Sequence, residues 1–174
     1  MIRLLAICGS LRAVSTNLTL LKAAELLTPP GMVIERFEGL GGLPHFNPDL
    51  DVDPAPPTVV EWREAVKRAD GLIISSPEYA RGVPGSLKNA LDWLVSSEVF
   101  PEKPVALFNA SDRSVAMQAA LRLILETMSA RMVDVATITV PLLGKQTDAT
   151  AVAADPEAAA KIRGALEGYA RFLA

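Results

Sequence analysis

Uninterrupted apolar runs alternate along this chain with stretches in which apolar positions recur every three or four residues. Ile2 to Cys8 reads as a buried strand. Leu20, Leu21, Ala24 and Leu27 follow at helical spacing behind Ser15, Thr16 and Asn17, any of which can cap a helix, and Pro29, Pro30 and Gly31 end it. Met32 to Phe37 predicts a second, more polar strand. Thr58 with Glu61 three residues on predicts a capping box, opening a helix that carries Val59, Trp62 and Val66. Residues 71–76 predict a third strand, and Pro84 the first residue of a helix with Leu87, Ala90, Leu91 and Leu94 on one face. Residues 105–110 predict a fourth strand, and Leu121, Ile124, Leu125 and Met128 mark a fourth helix. Residues 135–140, with alternating threonines, predict a fifth strand, and Asp155-Pro156-Glu157 opens a final helix through Ile162, Leu166 and Tyr169.

Five strands alternating with five helices predict an α/β fold, a parallel sheet with helices on both faces. The first, third and fourth strands are apolar throughout, as interior strands are, and the second and fifth are mixed, as edges are. That pattern fits the strand order 2-1-3-4-5. Residues 39–57 lack periodicity and are rich in Gly, Pro and Asp, which predicts a long loop with mobile parts. At 174 residues, half of them hydrophobic, residues 1–174 are expected to form a single domain.

The net charge of −3 comes from interspersed acids and bases, with no basic run to follow a phosphate backbone or an anionic membrane. Neither nucleic acid nor membrane is an expected partner. No apolar run approaches the roughly 20 residues of a membrane span, and the N-terminus lacks a signal-peptide pattern, so a cytoplasmic location is expected. One cysteine, Cys8, and one histidine, His45, rule out an intrachain disulfide and leave little for metal ligation or base catalysis. Cys8 reads as a small buried hydrophobe and His45 as a surface or lid residue. The chemistry is therefore expected to come from a cofactor.

In an open α/β sheet ligands sit beyond the carboxyl ends of the strands where strand order reverses, here between the first and third strands. The loop after Cys8 reads Gly9-Ser10-Leu11-Arg12-Ala13-Val14-Ser15-Thr16-Asn17. Hydroxyls and a guanidinium ahead of a helix N-terminus make an anion site, although the same residues alone also describe a helix cap beside a solvated arginine. Gly9 stands without the other two glycines of a dinucleotide fingerprint. Gly144-Lys145 is not a phosphate-binding P-loop, because Gln146 stands where Ser or Thr is required. The loop after Ser76 reads Pro77-Glu78-Tyr79-Ala80-Arg81-Gly82-Val83-Pro84-Gly85, in which prolines stiffen the backbone, glycines allow close approach, and Tyr79 offers a ring to a flat ligand.

Gly9-Ser10-Leu11-Arg12 with Ser15 and Asn17, together with Pro77-Glu78-Tyr79 and the run Pro84-Gly85-Ser86-Leu87-Lys88-Asn89-Ala90-Leu91-Asp92-Trp93, resembles the NADPH-dependent FMN reductase family. The resemblance implies a flavodoxin-like three-layer fold, bound FMN, and NAD(P)H as electron donor to a small-molecule acceptor such as a quinone, azo dye, metal oxyanion or flavin. It implies that Ser10, Arg12, Ser15 and Asn17 bind the FMN phosphate, that Pro77, Glu78 and Tyr79 line the ribityl chain and ring, and that Gly82 belongs to the same loop. Arg81 is a candidate for an anionic flavin edge or a nicotinamide-nucleotide phosphate, or else a solvated loop charge. Lys88, Asn89, Asp92 and Trp93 read as core or subunit contacts, in keeping with a homodimer or homotetramer. Ala80 stands where the family often has Asn, and the third loop, Asn109-Ala110-Ser111-Asp112-Arg113-Ser114, lacks the family's glycine pair. A flavodoxin-type electron carrier and a flavin-free nucleotide-binding or regulatory module are the competing readings.

Overall fold

The computed structural model describes residues 1–142 and 148–174; the Gly144-Lys145 segment weighed above lies outside them. Strands β1 (Ile2–Cys8), β2 (Met32–Phe37), β3 (Gly71–Ser75), β4 (Pro104–Asn109), β5 (Arg131–Met132) and β6 (Ile138–Thr139) form one sheet in the order β2-β1-β3-β4-β5, with β6 also on β4. Every pairing is parallel. Strands β3 and β4 are buried along their whole length, which is why they read as unbroken apolar runs. Side chains alternate between two helical layers. Leu4, Ala6, Ile73 and Phe108 face helices α1 (Thr16–Leu26), α5 (Ala149–Ala154) and α6 (Pro156–Leu173). Leu5, Ile7, Leu72, Ile74 and Leu107 face α2 (Pro57–Arg68), α3 (Gly85–Asp92) and α4 (Val115–Thr127).

The fifth strand differs from its expected form. Residues 135–140 are not one strand; Asp134–Ala136 is a 3-10 turn with Val135 exposed, and β5 and β6 pair with β4 on either side of it. A side chain has displaced the ladder there, because the Leu107 amide donates to Thr137 Oγ1 at 3.1 Å. The Thr58–Glu61 capping box is also not formed. Helix α2 starts at Pro57 without a side-chain cap, and the amides of Val59 and Val60 bond to the Pro56 carbonyl, so Thr58 lies inside the helix. A sixth helix, α5, precedes the final one among the described residues, and Asp148 and Asp155 cap the two in turn.

The stretch from 39 to 57 carries two 3-10 turns, Gly39–Gly42 and Pro48–Leu50, and is tied to α3 rather than free. Asn89 accepts from the Phe46 amide at 2.7 Å and donates to the Pro44 carbonyl at 2.9 Å, and Trp93 Nε1 donates to the same carbonyl at 2.8 Å. The expected contacts Asn89 and Trp93 are thus spent within this chain, and His45 is exposed on the loop they hold.

The C-terminal helix is fixed by one buried hydroxyl. Tyr169 donates towards the carbonyls of Pro104 at 2.7 Å and Leu72 at 3.1 Å, bridging β3 and β4 from below. Strand β3 begins on Gly71 because a Cβ there would come within 2.8 Å of Tyr169 Cε1. Burial pushes the Tyr169 hydroxyl well above the usual phenol range. A group whose folded pKa is raised contributes stability that is complete below its unfolded value, about 10, and is lost as pH rises beyond it. Tyr169→Phe is therefore expected to cost about 1 kcal/mol at neutral pH, from the lost hydrogen bond, and the gap from the parent should narrow above about pH 10. Urea unfolding at both pH values measures this; a gap that is constant or widens would contradict it.

Candidate functional site

Three loops leave the carboxyl ends of β1, β3 and β4 and meet around a cavity of about 500 Å3. The size is typical of a small-ligand cleft. Its position, across the β1/β3 boundary where strand order reverses, is where an open α/β sheet binds ligands.

The first loop turns sharply at Gly9, whose amide donates to the Ser75 carbonyl at 2.8 Å. Any side chain at position 9 would run into Ser76, its Cβ 2.8 Å from the Ser76 Cβ, so only glycine lets the loop cross β3 this closely. Ser10 Oγ then accepts from the Arg12 amide at 3.3 Å. Ser15 occupies the N-cap position of α1, but its side chain bonds no helix amide, and the first turn carries no acid. The amide groups at that helix end thus keep their partial positive charge without a protein acceptor. Asn17 is buried, and its Oδ1 accepts from Ser75 Oγ at 3.0 Å, tying α1 to the end of β3. Ser10, Arg12, Ser15 and Asn17 all line the cavity.

The second loop supplies Pro77, Glu78 and Tyr79 to the same cavity. Glu78 has a definite partner: its Oε2 accepts from the Met117 amide at 3.0 Å. Met117 lies in the first turn of α4, a helix whose own cap residue, Ser114, makes no side-chain bond to it. Glu78 therefore caps α4 from another loop and neutralises the positive end of its dipole. Among the described residues the N-termini of α1 and α4 both lie at the cavity, and a carboxylate meets an amide of α4 but none of α1. Tyr79 and Gly82 exchange backbone hydrogen bonds of 3.1 and 2.9 Å across a tight turn. Ala80 (φ 49°) and Arg81 (φ 62°) are both left-handed there, as a type I′ turn requires. Asparagine adopts this backbone far more readily than alanine. Arg81 is exposed at the tip, and neither it nor Gly82 lines the cavity; the other candidate residues do.

The third loop adds Ser111, Arg113 and Ser114, which are not among the site residues expected from the sequence. A readable signal exists: Ser111-x-Arg113 repeats the Ser10-x-Arg12 spacing, and the Arg113 amide likewise bonds its serine hydroxyl, at 3.1 Å. Cys8 sits behind the first loop, lining a second cavity of about 390 Å3 on the β2 side. Burial pushes its thiol up, opposed by hydrogen bonding to the Ser10 backbone and the Ser15 side chain. A thiol held protonated fits its reading as a small hydrophobe.

The family model described as NADPH-dependent FMN reductase matches residues 2–147. An NAD(P)H-dependent FMN reductase of Pseudomonas aeruginosa is 41% identical over 112 residues, 63% of this chain and 60% of that protein. An NADPH:quinone oxidoreductase of Arabidopsis thaliana is 41% identical over 114 residues, 63% of this chain and 58% of that one. The matches to these relatives thus span about three fifths of their lengths. Among solved structures, the flavoenzyme NAD(P)H:(acceptor) oxidoreductase FerB of Paracoccus denitrificans superposes with a TM-score of 0.69 at 27% identity, covering 99% of this chain and 91% of its own.

Two substitutions test the local geometry. Glu78→Ala removes the acceptor at the start of α4 and is expected to lower stability by about 1 kcal/mol in urea unfolding; no loss would contradict its capping role. Ala80→Asn relieves a left-handed alanine and is expected to raise stability by up to about 1 kcal/mol, and a lowered unfolding midpoint would contradict the turn geometry.

Proposed function

The chain belongs to the NADPH-dependent FMN reductase family, and on that premise we propose that it holds FMN in the three-loop cavity and reduces a small-molecule acceptor with electrons from NAD(P)H. The observation that carries the proposal is the contrast between the two helix ends at the cavity. The α1 end has no side-chain cap and no acid and is ringed by Ser10, Arg12 and Ser15, whereas the α4 end is closed by Glu78. A monoanionic or dianionic phosphate is favoured at the first and disfavoured at the second.

This gives the ligand a direction. The Arg12 guanidinium and the Ser10 and Ser15 hydroxyls would hold the phosphate at the α1 end with Asn17 at its edge, and Pro77, Glu78 and Tyr79 would line the ring. Arg81 and Gly82 act from the turn rather than from the cavity wall. The residues present fit the group: the donor set is cationic and hydroxylic where the phosphate goes, and backbone with one aromatic where the ring goes. When bound, FMN supplies hydride acceptance from the nicotinamide and onward electron transfer. The chain's own residues need no acid–base pair for this; Pro77, Glu78 and Tyr79 would hold the ring, with Tyr79 48% exposed at the cavity edge.

The acceptor is a quinone, azo compound, metal oxyanion or free flavin; the names of the relatives above support the quinone and the flavin. Donor and acceptor use the same open face in turn, which gives ping-pong kinetics. The protein is proposed to work in the cytoplasm as a homodimer or homotetramer; no helix among the described residues is long and apolar enough to cross a membrane.

The experiment is to add FMN to the purified protein and follow the flavin spectrum anaerobically with NADPH. The expected result is stoichiometric flavin binding, bleaching by NADPH, and recovery of colour on adding a quinone. Binding without bleaching would favour the electron carrier, and no binding would refute the proposal. Arg12→Gln is expected to weaken FMN binding by about tenfold to a hundredfold, as loss of a charge-assisted phosphate contact does.

A further inference from the structure

The cavity presents two guanidinium groups, and FMN has one phosphate. Arg12 stands on the Ser-x-Arg turn after β1, and Arg113 on the matching turn after β4. Both are exposed, both line the cavity, and neither enters an ion pair among the described residues. Strand β3 lies between β1 and β4, so the two turns start two strand spacings apart, about 10 Å. The loop proposed to carry the flavin ring, Pro77 to Tyr79, leaves β3 between them. With the ring on that loop, a phosphate seated at α1 would lie across the ring from Arg113.

From this geometry we infer that Arg113 is a specificity residue for the electron donor, binding a phosphate of the nicotinamide nucleotide when the nicotinamide lies over the flavin ring. The inference rests on the FMN reading of the cavity. Glu78 already holds the Met117 amide and puts a carboxylate at the α4 end beside it, which disfavours an anion there, so a second anion at this rim is better met by a side chain. Arg113 has the charge and the forked donors for a phosphate or pyrophosphate. It is also free to move, since the bond holding its turn is made by its backbone amide to Ser111 Oγ and not by its guanidinium. Arg12 and Arg113 then divide the work, one anchoring the resident cofactor and the other the exchanging one.

The test uses the full chain in two titrations: FMN into the flavin-free protein, then the non-reducing probes NADP⁺ and NAD⁺ into the FMN-loaded protein, followed by flavin difference spectra. Arg113→Gln is expected to leave the FMN dissociation constant within about twofold and to weaken NADP⁺ binding about tenfold or more, and Arg113→Lys to recover part of the loss. A loss for NADP⁺ alone assigns the contact to the 2′-phosphate, and an equal loss for NAD⁺ assigns it to the pyrophosphate. Unchanged NADP⁺ binding would overturn the inference. So would a loss of FMN affinity as large as that from Arg12→Gln, since both guanidinium groups would then serve the flavin phosphate. Failure of the parent protein to bind FMN in the first titration would instead strike the reading on which the inference rests.

Discussion

The cavity depends on the absence of a side chain at Gly9. The chain leaves β1 and must pass directly over the end of β3, held there by the hydrogen bond from the Gly9 amide to the Ser75 carbonyl, with Ser76 packed against the space a Cβ would fill. The first side of the site follows from that crossing. It brings the start of α1 to the switch point and sets Asn17 against Ser75. It also places Ser10, Arg12 and Ser15 on one side of the Pro77–Tyr79 loop and the start of α4 on the other.

The electrostatic asymmetry of the site comes from Glu78. As a carboxylate in a cavity that otherwise displays hydroxyls and guanidinium groups, it would oppose an anionic ligand if it faced the middle of the space. Its bond to the Met117 amide draws it to the α4 end, where it compensates a helix dipole. The same bond ties the second loop to the first turn of α4. The stiffness of the second loop is completed by the left-handed pair Ala80 and Arg81, a turn that costs backbone energy and holds Tyr79 at the cavity edge.

The parts of this arrangement that were legible in the sequence are those set by local pattern. The strands β3 and β4 are apolar runs because both their faces are buried, and β1 is buried from Leu4 to Ile7; that pattern fits the strand order and hence which loops converge. What could not be read depends on partners distant in the chain. The fifth strand is broken because Thr137 takes the Leu107 amide, 30 residues away in sequence. The capping box at Thr58 failed because Pro56 and Pro57 already start the helix. Glu78 reads as part of a flavin motif, but its bond to Met117 spans 39 residues and leaves no trace in spacing. Arg113 was visible as the repeat of Ser-x-Arg, a pattern that gains meaning only when both turns are seen to open on one cavity.

The central claim is that the open end of α1 is a phosphate site and that the flavin is held from that end. It is tested most directly by titrating the purified protein with FMN and with riboflavin, which has the same ring and ribityl chain without the phosphate. Loss of two or three charge-assisted hydrogen bonds corresponds to a preference of about a hundredfold or more for FMN. That preference is the result the account predicts; equal affinity for riboflavin would contradict it, because the ring would then bind without help from Ser10, Arg12 and Ser15.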